Sequence, residues 1–300
     1  MNEQELLAQQ FEANRRRLRA VAYRMLGSLT EADDAVQDAW TRLSRVDAGD
    51  IDNLTGWLTT VVARVCLNML RARRRRREDF VEGRVPEPII DREDGMDPEH
   101  EALIGDSVGL ALLVVLERLA PAERVAFVLH DVFAVPFEEI APIVGRTPTA
   151  ARQLASRVRR KVRGATPGVD QDMHAQRSAV DAFVAAVRSG DFEGLLAVLD
   201  PDIVLRADGG ARWVGATREL RGATTVARSA LMITQLLAGM DVRNALVNGA
   251  AGLVSSDPQG QPFSVMAFSI RSGRIVEIDV LADPERLRRL DLSILDRPRP

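Results

Sequence analysis

No acidic residue occurs between Ile140 and Val169, while Arg146, Arg152, Arg157, Arg159, Arg160, Lys161 and Arg163 all fall there. In a chain whose formal net charge is −3, positive charge this concentrated on one segment is the electrostatic footprint of a helix that meets phosphates. The residues before and within it read as a helix, a sharp turn at Gly145 and a second helix. Thr147-Pro148 supplies a cap and a proline at the first helical position, so the second helix is expected to begin there. Its outward face would carry Thr149, Arg152, Gln153, Ser156, Arg157 and Arg160. Arginine can fork onto guanine and glutamine onto adenine in a major groove. Arg159 and Lys161 are expected to neutralise DNA backbone instead. Pro142 falls inside the first helix of the motif and is expected to shorten or kink it.

At 300 residues, two or three domains are the sensible division, and 46% hydrophobic residues suffice to build real cores. One cysteine, Cys66, sits in an apolar helical pattern and cannot form an internal disulfide, which suits a reducing cytoplasm and gives no support to a catalytic thiol. The N-terminus lacks a signal-peptide layout, and the longest apolar run, Val108 to Leu116, is far short of a membrane span. A cytoplasmic protein with no membrane association is expected.

Three segments follow from the pattern. The first, residues 6–77, is helical: Leu18, Val21, Ala22, Met25 and Leu26 recur at helical spacing before Gly27, and Thr30 is expected to cap the next helix. That helix places Ala35, Val36, Ala39, Trp40 and Leu43 on one side and Asp34, Gln37 and Asp38 on another. A third helix, from about Thr55 to Arg76, divides into an apolar stripe (Leu58, Val61, Val62, Val65) and a polar one of Thr60, Arg64, Asn68 and Arg71. It ends in five consecutive arginines, Arg73 to Arg77, more than the helix dipole needs, so phosphate contact is the favoured reading. Residues 78–107 form an acidic, proline-punctuated stretch without sustained period, expected as a linker. Residues 108–164 contain two apolar helices and then the turn-flanked pair, and residues 165–173 form a short second break. From 174 to 290 a helix pair precedes candidate strands at Ile203–Ala207, Val242–Val247, Gly252–Ser255, Ser264–Arg271 and Arg274–Leu281, with Ser272-Gly273 as a hairpin turn. Helices followed by a mostly antiparallel sheet imply an α+β domain.

Three motifs in the first two segments carry a resemblance: Asp33-Asp34-Ala35-Val36-Gln37-Asp38-Ala39-Trp40, Gly56-Trp57-Leu58-Thr59-Thr60-Val61-Val62-Ala63-Arg64, and Leu119-Ala120-Pro121-Ala122-Glu123-Arg124-Val125-Ala126-Phe127. In this order and spacing they resemble bacterial sigma factors of the extracytoplasmic-function class. The third segment resembles a SnoaL-like domain of the cone-shaped fold shared with nuclear transport factor 2, and the combination is similar to the sigma factor J type. The resemblance implies two all-α sigma domains, a region 2 helical bundle (6–77) and a region 4 helix-turn-helix (108–164), followed by an α+β SnoaL-like (NTF2-like) cone. It implies an initiation factor that binds core RNA polymerase and directs it to specific promoters.

Carried over by residue, Asp34, Gln37 and Asp38 match the surface that docks on the polymerase β′ clamp helices, with the β flap as the expected partner of region 4. Asn53, Thr60, Arg64, Asn68 and Arg71, with Arg74 and Arg75, match the part that engages the −10 element. Thr149, Arg152, Gln153, Ser156, Arg157 and Arg160 match the helix that reads the −35 element. Three family features appear altered: Arg84-Val85-Pro86-Glu87-Pro88 in the linker, Asp208-Gly209-Gly210-Ala211, and Asp283-Pro284-Glu285-Arg286-Leu287. Asp208, Gly209, Gly210, Asp283, Pro284 and Arg286 are therefore the candidate regulatory contacts. No cofactor and no metal site is expected; a small-molecule or protein regulator of the third domain is a further candidate partner.

Two other readings compete. A one-component helix-turn-helix regulator with a ligand-sensing domain explains the second and third segments and leaves the first without a task. An enzyme needs a pocket acid or histidine with a partner, yet His174 stands at the domain edge and His100 and His130 lie elsewhere. Structural or exposed roles are expected for all three, a turn role for Asp208, and a filling role for Trp213. The third domain is expected to be non-catalytic.

Overall fold

The computed structural model describes residues 3–46, 51–75, 85–104, 109–165, 170, 172–210, 218–232 and 239–296. The chain divides into two compact units: residues 1–79, 101–106 and 115–165 form the first, and residues 80–100, 107–114 and 166–300 the second. Arg76, Arg77, Ala211 and Trp213 lie outside the described residues.

In the first unit, α1 (Glu3–Leu26), α2 (Leu29–Leu43) and α3 (Leu54–Arg75) pack on one another. Gly27, at φ 66°, ends α1. The hydroxyl that caps α2 belongs to Ser28, which accepts from the Glu31 amide at 3.3 Å; Thr30, expected in that role, lies within the first turn. Asn53 caps α3, its Oδ1 accepting from Gly56 N–H at 3.0 Å. The buried face joins Leu18, Met25 and Leu26 to Val36, Leu43, Leu58 and Val62.

After α4 (Pro98–Ile104) and α5 (Leu110–Glu117), the first unit continues in α6 (Pro121–Phe127), which runs into a π-turn over Val128–Val132 where Phe133 N–H reaches Val128 C=O. Ala134 then adopts φ 56°, an uncommon conformation for a residue with a Cβ. Next comes α7 (Phe137–Val144), which contains Pro142 and spans eight residues. Gly145 at φ 68° makes its left-handed cap and turns the chain into α8 (Pro148–Ala165). Thr147 Oγ1 accepts from Ala150 N–H at 3.3 Å, as the Thr-Pro signal implied.

The second unit holds a seven-stranded sheet in the order β1-β4-β5-β6-β7-β2-β3: Ile90–Arg92, Asp241–Val247, Ala250–Ser256, Pro262–Arg271, Arg274–Leu281, Leu199–Asp208 and Arg218–Arg221. Among the described residues only β2 and β7 pair in parallel. Asn248-Gly249 and Ser272-Gly273 turn the β4–β5 and β6–β7 hairpins with both residues at positive φ, the geometry that suits the strand twist. Helices α9 (Met173–Ser189), α10 (Phe192–Val198) and α11 (Ala223–Met232) share an apolar core with the sheet. Phe183 meets Phe268 edge-on at its centre, among Val180, Leu195, Ile203 and Ile278. This is the expected α+β domain.

One strand departs from expectation. The stretch read as an open linker is buried throughout from Val85 to Ile90 and supplies β1 at the sheet edge, pairing antiparallel with β4 through Ile90–Val247 and Arg92–Ala245. Gly252, inside β5, leaves room for its neighbours: a Cβ there would meet Val247 and stand 2.7 Å from the Met266 carbonyl oxygen. We expect Gly252→Ala to destabilise the second unit by about 1–3 kcal/mol in denaturant unfolding; an unchanged midpoint would contradict the tight fit.

Candidate nucleic-acid and polymerase interfaces

The recognition helix splits along its length. Ala151, Ala155 and Val158 are buried, while Thr149, Arg152, Gln153, Ser156, Arg157 and Arg160 are all exposed. A run of hydrogen-bonding and cationic side chains on one face of a helix is suited to base edges and phosphates. Arg152 rests its guanidinium 5.3 Å from the Phe137 ring centre, which steadies the side chain at the motif's turn. Arg159 and Lys161, expected at the DNA backbone and not at base edges, stand apart from this face. They turn back toward the preceding elements, Arg159 pairing with Asp131 at 2.9 Å and Lys161 with Glu123 at 3.6 Å. Burial raises the Asp131 carboxyl above its usual range, with Arg159 and His130 opposing the rise. His130 itself stacks on Phe137 and bonds the Val135 carbonyl, a structural role.

On α3, Arg64, Asn68, Arg71, Arg74 and Arg75 are exposed and Thr60 is half-buried. Arg73 is not part of that free array: it bonds the Leu26 carbonyl and pairs with Glu31. Asn53 is exposed at the start of α3, its side chain engaged in the cap. On α2, Asp34 and Gln37 are exposed, and Asp38 pairs with Arg42 at 2.9 Å. Beneath these surfaces Cys66 is buried, its thiol pushed up to about 12 by desolvation, which makes it inert.

The candidate regulatory residues converge. Asp208 and Arg286 form an ion pair, and each bonds one backbone group of the same linker residue, Val85. Asp208 Oδ2 accepts from Val85 N–H at 3.3 Å, and Arg286 Nη2 donates to the Val85 carbonyl at 2.6 Å. Gly210, at φ 67°, lies so close to Asp283 that a Cβ would stand 2.5 Å from its carboxylate. Asp283 in turn caps α12 (Pro284–Leu287) by accepting from Glu285 N–H, with Pro284 in the first helical turn. Gly209 is buried in the same loop. Two residues that sequence reasoning did not single out complete the anchor. Asn248 exchanges two hydrogen bonds with Ile89, accepting from its amide at 3.0 Å and donating its own to the carbonyl at 2.8 Å. Asp91, fully buried on β1, accepts from His100 Nδ1 at 2.8 Å and from Asp97 N–H at 3.0 Å.

Among the described residues no helix is long and apolar enough to cross a membrane. His174 is exposed at the start of α9.

Residues 10–76 match the family described as Sigma-70 region 2, and residues 109–162 match Sigma-70, region 4. The chain is 37% identical over 287 residues to the ECF RNA polymerase sigma factor SigJ of Mycobacterium tuberculosis, covering 92% of each. It is 35% identical over 299 residues to the probable ECF RNA polymerase sigma factor SigI of the same species, covering 96% of this chain and 97% of that one. The crystal structure of M. tuberculosis SigJ superposes with a TM-score of 0.76 at 34% identity, over 95% of this chain and 99% of the other.

His100 is held above its ordinary value of 6.5, chiefly by the hydrogen bond it donates to Asp91 and further, against desolvation, by the charges of Asp91, Asp97 and Glu99. A histidine raised in this way adds stability that is fully present below the unfolded value and is lost as pH rises through the folded one. We expect His100→Gln to lower the melting temperature in mildly acidic solution and to matter progressively less as the pH is raised. A difference that does not depend on pH would contradict the pairing.

Proposed function

The chain belongs to the extracytoplasmic-function sigma factors of RNA polymerase, and from that premise we propose how its surfaces share the work of initiation. As an alternative sigma factor it partners core RNA polymerase and promoter DNA. In our reading Asp34, Gln37 and Asp38 dock on the β′ clamp helices, and region 4 docks on the β flap. Asn53, Thr60, Arg64, Asn68, Arg71, Arg74 and Arg75 engage the −10 element. Thr149, Arg152, Gln153, Ser156, Arg157 and Arg160 read the −35 element.

The observation that carries this reading is the division of α8: three small or branched residues face inward and six polar or cationic ones face solvent. Exposed arginines on α3 supply the complementary phosphate surface for the second element. Each module alone presents few contacts and should bind DNA weakly. Joined on polymerase, the second contact becomes intramolecular and the pair gains by effective concentration.

For the third domain the reading is regulatory and non-catalytic. Its support is the linker clamp: Asp208 and Arg286 grip the Val85 peptide, with Gly210 and Asp283 packed beside them. A linker held as an edge strand cannot at the same time extend freely between two promoter-bound modules. A small molecule or protein that loosened the clamp would then raise sigma activity.

The test is transcription by bacterial core polymerase on genomic DNA of the encoding organism, with transcript 5′ ends mapped by sequencing. New start sites that depend on the added chain are the expected result. Arg152→Ala should weaken initiation at those sites about 10-fold or more, the size of one bidentate base contact. A chain that binds duplex DNA by itself and starts no transcript would favour a one-component regulator.

A further inference from the structure

Resting on the −35 reading of α8, an aromatic column behind the recognition helix gains a task. Phe137, the first residue of α7, is 5% exposed. His130 lies stacked on its ring with centroids 3.8 Å apart and planes 29° from parallel. The Arg152 guanidinium stands over the same ring, 5.3 Å from its centre. Three successive elements each contribute one member: the π-turn an imidazole, α7 a phenyl ring and α8 a cation. Among the described residues, Arg152 is the one member of the exposed α8 face that rests on an aromatic ring.

The backbone before α7 is bent into an uncommon shape that builds this column. Phe133 N–H reaches the Val128 carbonyl, the wide bond of a π-turn, and Ala134 then takes φ 56°. Ala134 N–H bonds the His130 carbonyl at 3.1 Å and Val135 N–H the Leu129 carbonyl at 2.9 Å, so the chain doubles back on the turn it has just left. His130 Nδ1 thereby meets the Val135 carbonyl at 3.0 Å, and the imidazole is fixed against the ring of Phe137. A residue with a Cβ in the left-handed region costs free energy and persists where its surroundings over-determine it, a pattern that clusters at functional sites. An aliphatic side chain would fill the place of His130 as well; the imidazole adds a fixed hydrogen bond and a flat face.

We propose that Phe137, braced by His130, is a positioning residue for −35 recognition: its ring limits Arg152 to the rotamers that present the planar guanidinium fork to one base. An arginine loose in solvent loses rotamer freedom on binding and can swing to a neighbouring phosphate. One already resting on a ring loses less and has fewer alternatives. Phe137 is buried and touches no DNA itself. Its effect therefore falls on discrimination between bases at the position Arg152 reads, and not on the sum of phosphate contacts made by α8.

The test uses the full chain with bacterial core polymerase on a library in which the −35 positions of one mapped start site are randomised, and the transcripts are sequenced. Arg152→Ala identifies the base position that this side chain reads. Phe137→Leu, which keeps an apolar filling, is expected to lower the preference at that position about 2- to 5-fold, the worth of an exposed cation–π contact, and to leave the other positions as they are. Phe137→Tyr should restore the preference, and Phe137→Leu should add nothing once Arg152 is alanine. An unchanged preference at that position, a loss spread evenly over all positions, or losses that multiply in the double variant overturns the positioning role. Should Phe137→Leu fail to fold, His130→Gln decides. That change keeps a donor for the Val135 carbonyl and removes only the stacked ring, so a smaller loss at the same position supports the role and no loss overturns it. If Arg152→Ala alters no preference, the −35 reading fails and the positioning role falls with it. If the unmodified chain starts no transcript, the sigma reading fails, and the same comparison is made by selecting the library as duplex DNA bound to the protein alone.

Discussion

Buried backbone must be hydrogen-bonded, and in this chain that requirement falls on the linker between two sigma modules. Six consecutive residues, Val85 to Ile90, are out of solvent. Their peptide groups find partners in the C-terminal domain: Asp208 and Arg286 at Val85, Asn248 at Ile89, and strand β4 beyond it. The consequence is topological. A segment that a sigma factor uses as a tether has become an edge strand of another domain's sheet. Two prolines in it, Pro86 and Pro88, lack an N–H to pair, which limits the regular strand to Ile90–Arg92 and leaves side chains to hold the rest. A short strand held by a few polar side chains is the kind of attachment that can be released without unfolding the domain that carries it.

The arginines show how one charge type is given different tasks by its surroundings. Arg152, Arg157 and Arg160 face solvent on α8, where phosphates and base edges can reach them. Arg159, one position away, pairs with Asp131, and Lys161 with Glu123, so these two fasten the recognition helix to its support. Arg24 and Arg124 are buried and join region 2 to region 4. On the sheet, Arg206 is surrounded by Glu219, Glu277 and Asp279 across three adjacent strands, a cluster that ties β3, β2 and β7 together. A charge count over this sequence would treat all of these alike.

Much of the fold was legible where the signal is local. The Thr147-Pro148 start, the Gly145 turn, the polar stripe of α3 and the strands of the last two hairpins follow from spacing and turn residues. The expected cap at Thr30 was two residues late, because Ser28 and Thr30 carry the same chemistry and only the chain geometry after Gly27 distinguishes them. Strand β1 was not legible: Ile90-Asp91-Arg92 is too short for a period, and its partner Val247 lies more than 150 residues on. Strand β3, Arg-Glu-Leu-Arg, has one apolar residue and no alternation to read. The meeting of Val85 with Arg286, 201 residues apart, has no local trace; only the family motifs marked both ends as noteworthy. Asn248 and Asp91 were missed because a turn asparagine and a linker aspartate look ordinary until their partners are in view.

The account stands on the linker being held by the C-terminal sheet in the free protein and surrendered on polymerase. Amide hydrogen exchange over residues 85–92, followed with and without bacterial core RNA polymerase, tests this directly. The account requires slow exchange in the free chain, at Ile89 above all, and a marked acceleration once core polymerase is bound. Fast exchange in the free chain, or protection that core polymerase leaves untouched, would contradict it.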